Sequence, residues 1–252
     1  MFKGEKPFNP NGGISMFDPV LTEVLVHWFM PAAGHLLDPF AGQAVRGVVA
    51  AAMGRRYVGV EIRTRQVEDN RRVARRMKLS GCRWIAADAG DMDEYLPRQT
   101  TFDGVLTCPP YYNLERYLAG PADLSEQPSY QAFLDRYSEI LGRCSDRLKP
   151  GRYFVMVVGE IRDPKGRLRD FVGDSIDILR ATGLSYYNDL VAVRPAATAP
   201  LRAAGHMRSR KVVRIHDTAL VFFKGDPRTI DRLVFPDLTD YDDPLERLSG
   251  GR

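Results

Sequence analysis

Leu36-Leu37-Asp38-Pro39-Phe40-Ala41-Gly42 is the stretch whose reading decides the fold. Its apolar start reads as a short buried strand, Pro39 and Gly42 punctuate a tight turn, and residues 43–53 continue as a helix. A strand that turns sharply into a helix is the repeating unit of α/β domains, and the segments on the C-terminal side repeat it. Tyr57–Ile62 reads as the second strand, followed by an arginine-rich surface helix over 64–80 with Val67, Val73 and Met77 at helical spacing. Third and fourth strands read at Cys82–Asp88 and Phe102–Thr107. A helix over about 129–147 meets a stop signal at Lys149-Pro150-Gly151, and Tyr153–Val158 reads as a fully buried fifth strand. A helix at about 171–182 and strands at about 186–193 and Ala219–Phe223 bring the count to seven, the last two as an antiparallel pair. The expected fold class is α/β, a doubly wound seven-stranded sheet with an antiparallel last strand.

The bulk properties agree with one domain. A chain of 252 residues with 44% apolar composition can bury a full core without disulfides or a structural metal. The expected domain spans 1–235, with 1–35 as an N-terminal segment and 236–252 as an acidic, poorly ordered tail. Cys82, Cys108 and Cys144 are far apart and form no CxxC pair, so no metal site and no disulfide framework is signalled. The first thirteen residues lack the apolar core of a signal peptide, and no run approaches the roughly 18 apolar residues of a membrane span. The reading is a protein of the reduced cytoplasm with no membrane partner. Net charge is only +4, but it is unevenly placed. Arg194, Arg202, Arg208, Arg210, Lys211 and Arg214 fall in a stretch with no acid, read as a basic loop over 195–218 that can track phosphates.

In open α/β sheets ligands bind beyond the carboxyl ends of the strands, so the residues at those ends carry the chemistry. Gly42 lets a ligand approach the backbone after the first strand. Glu61, closing the second, can accept two hydrogen bonds from a ribose diol, and Asp88, closing the third, can accept from the amino group of an adenine. Three such ends in succession point to a nucleoside ligand. The fourth strand runs into Thr107-Cys108-Pro109-Pro110-Tyr111-Tyr112, where consecutive prolines cannot continue a ladder and Tyr111 offers a flat face for a base.

These motifs resemble those of the amino-methyltransferases of DNA, which modify adenine N6 or cytosine N4. The family carries a cofactor motif similar to Asp38-Pro39-Phe40-Ala41-Gly42, and a catalytic motif of Asp, Asn or Ser followed by Pro-Pro and an aromatic residue. The resemblance runs from about residue 12 to residue 225. It is nearest to small phage-borne members with a Cys-Pro-Pro-Tyr form and a late basic segment ending in a strand like Leu220–Gly225. It implies a Rossmann-like class I methyltransferase sheet, S-adenosylmethionine as cofactor, DNA as partner with the base flipped out of the duplex or single-stranded, and the cytoplasm of a bacterium or phage-infected host. It also implies that Asp38, Pro39, Phe40, Gly42, Glu61, Ile62 and Asp88 hold the cofactor, enclosed by a segment that includes Ser15, Met16 and Phe17. Cys108, Pro109, Pro110 and Tyr111 would hold the extruded base, and Arg194, Arg202, Arg208, Arg210 and Lys211 would contact phosphates.

Cys108 departs from the family pattern and leaves the target atom open. As a Ser-like isostere it lines an amino-group pocket, with the Pro109 carbonyl polarising the nitrogen. As a thiolate it adds to C6 of cytosine and activates C5, a route that needs an acid near the ring, for which Glu160 after the fifth strand is the candidate. An RNA methyltransferase and a catalytically silent nucleic-acid-binding subunit are the remaining readings.

Overall fold

Asp18 and Pro19 begin a helix, Pro19–Phe29 (α1), that the sequence reading left inside its N-terminal segment. Asp18 caps it by accepting from the N–H groups of Val20 at 2.8 Å and Leu21 at 3.2 Å, and Pro19 sits where no N–H is needed. The computed structural model describes residues 16–112, 120–194, 199–230 and 234–235; the expected acidic tail and Ser15 lie outside them. The decisive stretch forms a strand, His35–Asp38 (β1), whose turn leads into Val45–Ala52 (α2). Arg56–Glu61 (β2), Thr64–Arg76 (α3), Cys82–Ala86 (β3) and a single turn at Met92–Tyr95 (α4) follow. Then come Phe102–Thr107 (β4), Tyr130–Arg147 (α5), Leu148–Val158 (β5), Phe171–Ala181 (α6), Ser185–Val193 (β6), Ala199–Met207 (α7) and His216–Phe223 (β7).

The strands form one seven-stranded sheet in the order β3-β2-β1-β4-β5-β7-β6. Neighbours from β3 through to β5 are parallel, while β7 is antiparallel to both β5 and β6. Both faces are covered, as the unbroken apolar run of β5 requires. Tyr153, Val155 and Val157 belong to the apolar layer that α1, α2 and α3 cover, while Phe154, Met156 and Val158 belong to the layer under α5 and α6. Each such fully buried side chain contributes about 1.5–3 kcal/mol to the core. Strand order reverses at β1, which has β2 on one side and β4 on the other, so a crevice opens at the carboxyl ends of β1 and β4.

Three expectations need correction. The buried stripe of α3 is Val67, Asn70 and Ala74, at the i, i+3, i+7 spacing of one helical face; Val73 and Met77 are exposed. Lys149-Pro150-Gly151 ends α5 but not the strand. It forms a bulge inside β5, where pairing shifts from Phe102 with Leu148 to Gly104 with Tyr153, and Gly151 supplies the positive φ of 71°. The basic segment is not one loop: α7 stands within it, and β7 starts three residues earlier than its apolar core suggests.

Candidate active site

The site grows from the end of β1. Asp38 is fully buried and accepts from four groups: Arg46 Nε at 2.6 Å, Tyr57 Oη at 2.7 Å, Thr107 Oγ1 at 2.7 Å and the Phe40 N–H at 3.2 Å. The same Arg46 guanidinium donates to the Phe40 carbonyl at 2.6 Å and the Ala41 carbonyl at 3.2 Å. Burial works against its charge, but Asp38 beside it, helped by Tyr57 and Cys108, raises its proton affinity above the ordinary value. This buried pair clamps the turn and ties β1 to β2 and β4. Asp38 is therefore a scaffold residue rather than a lining one, which corrects its expected direct contact with a ligand.

Gly42 completes the turn at a φ of +52°, a region that a side chain disfavours. Its N–H donates to Glu61 Oε2 at 3.0 Å, and its carbonyl accepts from Asn70 Nδ2 at 2.8 Å. Glu61 Oε1 accepts from the backbone N–H of Arg63 at 3.0 Å and its Nε at 2.7 Å. Asp88 caps the short turn after β3 by accepting from the Gly90 N–H at 2.8 Å, and it pairs with Arg136. Pro39, Phe40, Gly42, Glu61, Ile62 and Asp88 line a single cavity of about 600 Å³, and Met16 and Phe17 border it from the start of α1. The Phe17 ring lies over Arg46 at 4.7 Å.

Cys108, Pro109, Pro110 and Tyr111 line the other end of the same cavity. Cys108 Sγ lies 3.6 Å from Tyr111 Oη, and the Tyr111 ring meets the edge of Phe171 with centroids 5.8 Å apart. Tyr112 adopts a left-handed φ of +46° and buries its ring against Tyr130 and Phe133, which turns consecutive tyrosines to different sides. A non-glycine residue held there stores strain, a feature of sites whose geometry matters. Burial raises the Cys108 thiol above its usual range, although Arg46 and Tyr111 work the other way, and burial also raises the Tyr111 hydroxyl well above its own. Both groups are protonated at neutral pH.

No protein-family model and no curated protein matches the sequence. Solved structures do match in shape. A methyltransferase from Pyrococcus furiosus aligns over 87% of this chain and 88% of its own at a TM-score of 0.57 and 17% identity. TrmN from Thermus thermophilus aligns over 82% of this chain at a TM-score of 0.55 and 16% identity, with this chain spanning about half of TrmN, 49%. The [4+2]-cyclase SpnF aligns over 82% of this chain and 81% of its own at a TM-score of 0.56 and 17% identity. The fold is the class I methyltransferase fold. At such identity the likeness is one of fold alone, and a cyclase shares it, so the chemistry has to be argued from the site.

Several of the expected residues sit elsewhere on this methyltransferase fold. The Glu160 carboxylate accepts from the Phe171 N–H at 3.1 Å and the Val172 N–H at 3.4 Å, capping α6 without lining the cavity. That corrects its expected place beside a substrate ring; the sequence showed an acid after a strand but not the helix start folded onto it. Arg194 does line the cavity, and it is paired with Asp217 through an Nε–Oδ2 bond of 2.5 Å. Arg202, Arg208 and Arg210 are exposed, and Lys211 lies against Gly166; none of them lines the cavity. Sequence reasoning missed Arg46, Thr107, Gln43 and Asp217. Arg46 was legible in principle, since the first turn of a helix after a glycine turn faces the ligand crevice, and so was Gln43, which directly follows that glycine. Among the described residues no cluster of His, Cys, Asp or Glu is placed to hold a metal ion, and no helix is long and apolar enough to cross a membrane.

Proposed function

We propose that this chain is an S-adenosylmethionine-dependent methyltransferase that modifies the exocyclic amino group of a cytosine or adenine in DNA. One observation carries the reading: the Phe40–Gly42 turn with Glu61 and Asp88, and the Cys108-Pro109-Pro110-Tyr111 turn, line one continuous cavity. Its volume of about 600 Å³ falls inside the ~300–1,000 Å³ range of small-molecule sites. The residues present fit the cofactor. Gly42 leaves the turn open to close approach, the Glu61 carboxylate matches a ribose diol, and Asp88 matches an adenine amino group. Phe40, Ile62, Met16 and Phe17 supply apolar walls. Once bound, the cofactor supplies a methyl group already activated by its positive sulfur. The chain's own residues have to orient the acceptor and exclude water.

At the far end Tyr111 offers a ring for a base held out of the stack, which costs a few kcal/mol to extrude. Two observations favour amino transfer over transfer to C5. A C5 route needs a thiolate, whereas burial raises the Cys108 thiol above its ordinary range, and Glu160, the acid expected for that route, is engaged at the start of α6. Mass spectrometry of nucleosides from DNA, and separately from RNA, incubated with the protein and S-adenosylmethionine tests the reading. N4-methylcytosine or N6-methyladenine in DNA is expected. A 5-methylcytosine product, methylation confined to RNA, or no product would overturn it.

A further inference from the structure

The family pattern places Asp, Asn or Ser where this chain has Cys108, a weak hydrogen-bond acceptor, so the acceptor end of the cavity lacks an obvious partner for the amino protons. A carboxylate reaches that end from another strand. Because β7 runs antiparallel, its start rather than its end lies at the edge where β4 and β5 finish: Thr218 pairs with Val158, which sets Asp217 beside Gly159. Asp217 lines the cavity together with Cys108, Pro109, Pro110 and Tyr111. Its bonds to Arg194 both fall on Oδ2, while Oδ1 faces Gly159. The point where a side chain on Gly159 would begin lies 3.0 Å from Asp217 Oδ1 and 3.9 Å from Tyr111 Oη. The missing side chain leaves the space between them open. Asp217 is largely shielded, with 15% of its side chain exposed, so its charge acts in a poorly screened setting.

From this juxtaposition we infer that Asp217 is a catalytic residue that accepts the proton of the target amino group, with Arg194 as the positioning residue that fixes its orientation. The inference rests on the proposed amino methylation. As the exocyclic nitrogen forms its bond to the methyl carbon, the carbon–sulfur bond breaks and its electron pair stays on sulfur. The nitrogen then carries one proton too many and is a stronger acid than a carboxylic acid. That proton passes to Asp217 Oδ1 and leaves to solvent after product release. The carboxylate thus supplies, from a different strand, the polar partner that Cys108 does not.

The test compares Asp217→Asn, Arg194→Gln and wild type for single-turnover methylation of unmethylated genomic DNA, with S-adenosylmethionine affinity read by calorimetry and folding by urea denaturation. Asn keeps the shape and an acceptor oxygen but cannot take a proton. Its rate should fall about 100-fold or more, the usual scale for a lost proton acceptor. Cofactor affinity should stay within about twofold, and Arg194→Gln should cost far less than Asp217→Asn. If Asp217→Asn is poorly folded, Gly159→Ala serves instead, since it places a methyl group in the space beside Oδ1 and retains both Asp217 and Arg194. Its turnover should drop at unchanged cofactor affinity. Full turnover by a folded Asp217→Asn or by Gly159→Ala, or equal losses for Asp217→Asn and Arg194→Gln, would overturn the inference alone. No methylated amino group with the wild-type protein would overturn the proposed function together with it.

Discussion

Where β1 and β2 end, one buried carboxylate, Asp38, accepts from four groups at 2.6–3.2 Å, and Gly42 is braced from both sides by Glu61 and Asn70. Where β4, β5 and β7 end, side chains meet more loosely: Cys108 and Tyr111 touch at 3.6 Å, and Asp217 is held by Arg194. The first region is a preorganised frame whose bonds belong to the fold as much as to any ligand. The second is a set of separately anchored side chains that can be altered without unmaking the sheet. Damage to the frame should therefore register in stability, and damage to the acceptor end in turnover.

Asp38→Ala should produce the largest effect, because it strands the Arg46 guanidinium in the interior with the Tyr57 and Thr107 hydroxyls. Breaking such a buried pair typically costs about 3–5 kcal/mol, readable as a lower urea midpoint. A loss below about 1 kcal/mol would erase the contrast between the two regions. Glu61→Ala comes next. It removes the carboxylate facing the cavity and the brace on Gly42, so S-adenosylmethionine affinity in calorimetry should fall by about 1.5–3 kcal/mol. Unchanged affinity would break the assignment of this end to the cofactor.

At the acceptor end Tyr111→Ala should leave stability and cofactor affinity near wild type and weaken DNA use by about 1–3 kcal/mol per stacked base. Tyr111→Phe, which keeps the ring, should recover most of that in a comparison of kcat/KM. The smallest effect belongs to Cys108→Ser, expected to change amino methylation by less than about tenfold, or ~1.4 kcal/mol. With the thiol raised by burial, the thiolate form appears only as pH climbs above the ordinary cysteine value of about 8.5. Alkylation of Cys108, followed by peptide mass spectrometry, should be slow near neutral pH and quicken only at alkaline pH. Rapid alkylation near pH 7, or abolished transfer in Cys108→Ser, would make the thiol a reactant and sharpen the comparison in the opposite direction.

Much of this architecture was legible in order along the chain. The strand beginning at Leu36, the acids closing the second and third strands and the Cys-Pro-Pro-Tyr turn all rest on local patterns: apolar runs of strand length, punctuated by Pro and Gly. The helix α1 was missed although Asp18-Pro19 is a start signal, because its apolar residues were absorbed into a segment read as a cover. The faces of α3 were misassigned because Val73 and Met77 stand out as apolar, while the buried Asn70 does not.

By itself the sequence determined the seven strands, their order along the chain, and the residues standing at the ends of the first four, since these follow from periodicity and turn chemistry within a few residues. The tertiary structure alone decided what those residues do to one another. That Asp38 is consumed by Arg46, Tyr57 and Thr107, that Glu160 caps α6, and that Arg194 belongs to Asp217 are pairings made across the sheet. Asp217 was the least legible of all. A parallel strand brings its last residue to the ligand edge, but β7 runs the other way, and only strand pairing, a long-range choice, brings its second residue there.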